Sequence, residues 1–177
     1  MKNNRLANIV KTPTIYVTNS MKEALEVKPN KMQTEALSQL HALRATGATK
    51  GLIISATGTG KTYLAAFDVR QANPDKVLFI VHREQILKKA MQDFRKILGG
   101  DEDDYGILSG NSKDLNARYL FATIQTISRD PYLQYFAKNH FDYVLIDEVH
   151  RAGAESYLKI INYFTPEFLL GMTATPE

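Results

Sequence analysis

The run Gly51-Leu52-Ile53-Ile54-Ser55-Ala56-Thr57-Gly58-Thr59-Gly60-Lys61-Thr62 passes from apolar to glycine-rich and ends on Lys-Thr. Its first part reads as a buried strand and its second as a sharp turn into a helix. Gly58 and Gly60, one residue apart, let the backbone point successive N–H groups at phosphate oxygens. The helix that follows adds its positive end. Lys61 can reach the β- and γ-phosphates as a point charge, and the Thr62 hydroxyl can ligate Mg²⁺. An ordinary strand-to-helix turn can also be glycine-rich, but it has no need of Lys-Thr. The strict phosphate-loop pattern asks for glycine five residues before Gly60, and this chain has Ser55 there.

A second apolar run, Tyr143-Val144-Leu145-Ile146, leads into Asp147-Glu148-Val149-His150. A strand here delivers two carboxylates to the same sheet edge as the glycine turn. Asp147 is the candidate Mg²⁺ ligand, directly or through water, because a hard cation prefers carboxylate and water oxygens. Glu148 is the candidate base that orients and deprotonates the attacking water. An isolated Asp-Glu pair is most simply solvated surface charge. Beside a phosphate cradle, the pair describes hydrolysis of a nucleoside triphosphate.

Three further runs have the same character: Val77-Leu78-Phe79-Ile80-Val81, Tyr119-Leu120-Phe121-Ala122 and Phe168-Leu169-Leu170-Gly171-Met172. Continuous apolar sequence predicts strands buried on both faces. Between the runs lie segments with helical spacing, such as Ile86, Leu87, Ala90, Met91, Phe94 and Ile97. The alternation predicts an α/β protein with a mainly parallel sheet and helices on both faces, a three-layer sandwich. In such sheets ligands lie at the carboxyl ends of the strands, where both motifs fall. Gly99 to Asp104 reads as a solvated acidic loop. Residues 1–27 read as an extension of uncertain role, with a strand expected at Thr14 to Val17 and a helix cap at Ser20.

With 177 residues and 44% apolar content the chain can bury one core. No stretch approaches the roughly 18 apolar residues of a membrane span, and the amino terminus leads into no apolar signal core. Absence of cysteine excludes disulfides and thiolate metal centres. A cytoplasmic location is the expectation. A net charge of +3 and a pI near 9.0 permit a polyanionic partner without requiring one.

In this order, the motifs resemble those of the first RecA-like domain of a superfamily 2 helicase or translocase of the DEAD/DEAH-box class. Gln33 resembles the glutamine motif that reads adenine, Ala56 to Thr62 matches motif I, Asp147 to His150 matches motif II as a DEVH variant, and Thr173-Ala174-Thr175 matches motif III. More narrowly, Val81 to Leu87 and Ala122 to Thr126 look like the motif Ia and Ic regions of the branch that holds type III restriction-enzyme subunits.

The resemblance covers residues 28–177 and implies a RecA-like P-loop NTPase fold. It implies ATP and Mg²⁺ as cofactors, with Gln33, Thr57, Gly58, Thr59, Gly60, Lys61 and Thr62 around the nucleotide. It also implies nucleic acid as partner, DNA favoured over RNA, touched along its backbone by Arg83, Thr123 and Gln125. His150, Thr173 and Thr175 would couple nucleotide state to the nucleic-acid side.

A second RecA-like domain has no room after Thr175, so the chain is expected to be the ATP-binding half of a two-domain motor. Two alternatives stay open within the family: the motor subunit of a type III-like restriction enzyme, and a nucleotide-switched binding module without unwinding. Outside it, a small-molecule P-loop kinase shares the cradle. A kinase would not need the Asp147-Glu148 pair, and it usually carries an arginine-rich lid that is not found between residues 100 and 140.

Overall fold

The computed structural model describes residues 26–56, 58–148 and 155–174. The strand expected at Thr14 to Val17, the cap at Ser20, and the site residues Thr57, His150 and Thr175 lie outside the described residues.

Helix α1 (Lys31–Ala45) starts where Asn30 caps it. The Asn30 side chain accepts from the Gln33 backbone N–H at 2.9 Å, and the Gln33 side chain accepts from the Asn30 N–H at 2.9 Å. This reciprocal box satisfies two helix-end donors and fixes Gln33 in place. Strand β1 (Lys50–Ile54) leads through the glycine turn into α2 (Lys61–Ala72), and β2 (Val77–Val81) leads into α3 (Glu84–Leu98). Leu87, Ala90, Phe94 and Ile97 form the buried stripe of α3, as their spacing predicts. Gly99, at a φ of 67°, ends that helix in a conformation glycine adopts without strain.

A short 3-10 turn (Glu102–Asp104) then enters β3 (Tyr105–Leu108), a strand the apolar runs do not reveal. Strand β4 (Tyr119–Thr123) is followed by the short helices α4 (Ile124–Ile127) and α5 (Asp130–Leu133). Strand β5 (Tyr143–Ile146), helix α6 (Glu155–Tyr163) and strand β6 (Phe168–Thr173) complete the described chain.

The strands form one six-stranded, all-parallel sheet in the order β1-β6-β5-β2-β4-β3. One core packs α1, α2 and α3 on the sheet. It centres on Phe79, Phe94 and Phe121, whose rings lie 5.2 to 5.5 Å apart. The second packs α4 and α6 on the other face through Leu78, Ile80, Leu120, Val144, Ile146 and Ile160. The three-layer α/β expectation holds. Strands β2, β4 and β5 are buried on both faces. Strand β1 departs from that pattern: among the described residues it ends the sheet, and Leu52 and Ile54 are 56% and 59% exposed.

Behind the sheet the fully buried Asp68 of α2 is held by Arg44 and Tyr143. Arg44 Nη1 donates to it at 2.9 Å, and Arg44 Nη2 and the Tyr143 hydroxyl donate to its other oxygen. The guanidinium also stacks 4.2 Å above the Phe168 ring. Burial, reinforced by the Asp68 charge, pushes the Tyr143 hydroxyl well above its ordinary pKa.

Candidate nucleotide site and nucleic-acid face

Sheet order places the ends of β1, β6 and β5 side by side, so the glycine turn, Thr173 and Asp147 share one edge. The Ser55 N–H donates to the Thr173 carbonyl at 3.1 Å, continuing the β1–β6 ladder into the cradle. The Asp147 N–H donates to the Ile80 carbonyl at 2.9 Å, which fixes the acidic turn against β2.

Gly58 and Gly60 have φ of 78° and 79°, in the left-handed region that glycine enters freely. Gly60 has a second reason to be glycine: a Cβ there would sit 2.9 Å from Gln33 Nε2. Ser55, where the strict pattern has glycine, shares a 2.7 Å hydrogen bond with the Thr59 hydroxyl, which also lies 2.8 Å from the Ala56 carbonyl. The departure from the pattern thus ties the loop across its own mouth. The Lys61 ammonium donates to the Ser55 and Ala56 carbonyls, both at 3.0 Å.

A cavity of about 390 Å³ opens here, lined by Gly58, Gly60, Lys61 and Thr62 of the cradle, by Asp147 and Glu148, and by Ala174 beyond β6. The two motifs read separately in the sequence therefore meet in one hollow. Tyr63, Lys89 and Asp93 complete its wall. Sequence reasoning missed these three, because nothing in their spacing sets them apart from ordinary helix-surface residues. A hollow of about 460 Å³ lies at the opposite, amino-terminal edge, bordered by Arg44, Asp142 and Glu167, and no motif reaches it.

Glu148 sits at a φ of 55°, uncommon for a residue with a side chain, and its N–H donates to Asp147 Oδ1 at 2.9 Å. The strained turn and the side-chain bond orient the acidic pair together. Thr62 and Asp147 offer two hard oxygen donors. Among the described residues no group of three His, Asp or Glu side chains forms a metal cage. Two protein oxygens suit Mg²⁺, which usually takes few protein ligands and completes its shell with water and phosphate.

Gln33 is 6% exposed, with its Nε2 donating to the Gly60 carbonyl at 3.3 Å. Its amide thus touches the cradle itself, and one N–H and one lone pair remain for a further partner. Thr173 is 8% exposed, with its hydroxyl donating to the Ala174 carbonyl at 3.2 Å.

On the neighbouring part of the same edge, β2 and β4 pair in register Val81↔Thr123. Arg83, exposed, stands at the start of α3. Gln125 is exposed, and its Nε2 is 3.2 Å from His82 Nδ1, so the two loops touch. Thr123 differs from its sequence reading: it is 5% exposed, and its hydroxyl donates to Thr126 at 2.9 Å. It shapes the turn into α4, and a phosphate contact through that hydroxyl would need this bond broken.

Comparisons with known proteins agree with the geometry. The chain is 27% identical over 165 residues to the type I restriction enzyme EcoAI endonuclease subunit of Escherichia coli, covering 84% of this chain and 19% of that one. It is 27% identical over 128 residues to the DNA 3'-5' translocase XPB2 of Sulfurisphaera tokodaii, covering 72% of this chain and 27% of that one. It thus spans about a fifth to a quarter of these relatives' length.

Among solved structures, the Hef helicase domain of Pyrococcus furiosus superposes with a TM-score of 0.67 at 20% identity, over 84% of this chain and 33% of that one. A nuclease-deletion mutant of the type ISP restriction-modification enzyme LlaGI, solved with a DNA substrate mimic, superposes with a TM-score of 0.63 at 20% identity, over 85% and 18%. These likenesses establish the RecA-like α/β fold. Residues 26–177 match the family described as type III restriction enzyme, res subunit, and the chain belongs to that family.

Proposed function

We propose that this chain is the ATP-binding half of an ATP-dependent helicase or translocase that tracks along DNA. The observation that carries the reading is the single cavity that joins Gly58 to Thr62 with Asp147 and Glu148. Backbone N–H groups of the cradle and the end of α2 receive the phosphates, and Lys61 exchanges a carbonyl bond for a phosphate oxygen. Thr62 and Asp147 would hold Mg²⁺, which when bound neutralises charge on the outer phosphates. Glu148 orients a water and accepts its proton. Gln33 lies against Gly60, so the adenine is read from the α1 side of the cradle.

Arg83 and Gln125 are the candidate contacts to the sugar-phosphate backbone, a kind of contact that positions without reading sequence. Thr173, with His150 and Thr175, is the candidate link between nucleotide state and that face. DNA is favoured because the XPB2 relative is a DNA 3'-5' translocase.

Among the described residues no arginine lines the cavity. An arginine contributed to such a site raises turnover about 10³- to 10⁵-fold. We expect hydrolysis by this domain alone to be very slow, with no strand separation. Calorimetric titration with Mg²⁺ and a slowly hydrolysed ATP analogue tests the site: binding is expected for the native chain and lost in Lys61→Ala. Unchanged affinity in the variant would remove the cradle assignment, and robust unwinding by the purified chain would overturn the half-motor reading.

A further inference from the structure

Lys89 belongs to none of the motifs, yet it stands at the phosphate cavity. Its ammonium lies 3.0 Å from Asp93 Oδ2, while the Tyr63 hydroxyl and the Lys96 ammonium reach Asp93 Oδ1 at 3.2 Å each. Tyr63 directly follows Thr62. The Asp93 carboxylate is therefore tied to the first turn of α2, the helix that begins in the cradle. Asp93 is 4% exposed. Its burial opposes ionisation, but hydrogen bonds from Lys89 and Lys96 outweigh that and hold its pKa below the ordinary value.

A lysine four residues before an aspartate on a helix is commonly a solvated pair of small value. Three features set this one apart. The carboxylate is buried in the cavity wall, it takes donors from two helices, and two ammonium groups share it, so the cluster keeps one positive charge. That charge borders a hollow whose lining also includes Asp147 and Glu148. Gln33 flanks the cradle from α1 at Gly60, whereas Lys89 and Asp93 share the cavity with the acidic pair. The lysine thus stands at the end where the outermost phosphate and the attacking water belong. With 78% of its side chain exposed and a flexible four-carbon stem, it can leave Asp93 for a phosphate without disturbing the fold.

We propose that Lys89, parked on Asp93, is a second phosphate-contacting lysine that engages the terminal phosphate of the nucleotide and lets the site distinguish triphosphate from diphosphate. This rests on the nucleotide reading above. Asp93 and Tyr63 act as positioning residues that keep the ammonium at the cavity mouth.

The test is titration of fluorescent ATP-analogue and ADP, each with Mg²⁺, into the native chain, Lys89→Ala, Lys89→Arg and Lys61→Ala. Lys89→Ala is expected to weaken the triphosphate roughly three- to tenfold, an effect that added salt shrinks, and to leave the diphosphate within about twofold. Lys89→Arg should restore the preference, whereas loss of a merely structural ion pair would weaken both nucleotides alike. If Lys61→Ala abolishes binding while Lys89→Ala matches the native chain, or weakens both nucleotides equally, the proposal falls and the nucleotide reading stands. If the native chain binds neither nucleotide, both fall together.

Discussion

Two charged clusters lie on opposite edges of the same sheet, and they are satisfied in different ways. At the amino-terminal edge the buried Asp68 takes donors from Arg44 and Tyr143, and the guanidinium is sandwiched on Phe168. At the carboxyl edge Lys61 rests on two carbonyls of its own loop, and Lys89 rests on a carboxylate it shares with Lys96. The first cluster is the more enclosed: Asp68 and Tyr143 are buried, and their polar atoms bond to each other and to Arg44. The second is exchangeable, because a phosphate can replace a carbonyl or a shared carboxylate at little cost. Charges that hold a fold and charges that serve a ligand are separated here by the quality of their partners more than by their number.

The comparison breaks most visibly at Asp68. Replacing it with alanine leaves the partly buried Arg44 guanidinium and the buried Tyr143 hydroxyl without their shared acceptor, an expected loss of about 3 to 5 kcal/mol. Thermal denaturation should show a fall of roughly 10 °C or more, while nucleotide affinity of the folded fraction stays unchanged. Lys61→Ala should do the converse. Nucleotide affinity is expected to drop by at least about a hundredfold, with the melting temperature moving by no more than about 2 °C. A large stability loss in that variant would show that the cradle lysine is as structural as Asp68.

A finer test is Ser55→Ala, which removes the hydroxyl bond to Thr59. The expected cost is about 1 kcal/mol, seen as faster amide hydrogen exchange at Thr59 to Lys61 and a lower melting temperature. Unchanged exchange would mean that the glycine turn holds its shape without the tie.

The smallest effect belongs to His140, whose ring packs against Phe136 and Phe141 and whose Nε2 has no hydrogen-bond partner. Burial, with some help from Lys76, lowers its pKa from the ordinary 6.5. The unfolded chain then takes up a proton before the folded one does. Stability is lost as pH falls through about 6.5 and levels off below the folded value. Urea titrations at pH 7.5 and 5.5 should show a small pH-dependent loss that is reduced in His140→Gln; an equal loss in both proteins would rule His140 out as the source.

Strands β2 and β5 were legible because continuous apolar sequence has few other uses inside an α/β protein, and both end where the runs end. The cradle was legible because its glycines, lysine and threonine are contiguous. Strand β3 was not. It is four residues long, and Gly106 interrupts it, for a reason that appears only in three dimensions: a Cβ there would come within 2.8 Å of both Ala117 and Asp114. The exposed face of β1 was equally hidden, since an apolar run reads the same whether or not a helix covers it. Lys89 and Asp93 escaped notice because the packing of α2 on α3, rather than any local spacing, brings them to the cavity. Thr123 shows the reverse limit: its position at the end of β4 was legible, but the direction of its hydroxyl depended on Thr126.

Among the described residues, β1 has one bonded neighbour, β6, and presents Leu52 and Ile54 outward. Its outer backbone rim is unpaired among the described residues, and such a rim beside exposed aliphatic side chains is a surface that another segment can extend. For whoever handles this protein the result is colloidal. Its tendency to self-associate should climb with concentration, and a single lysine in place of Ile54 should blunt that tendency far from the chemistry.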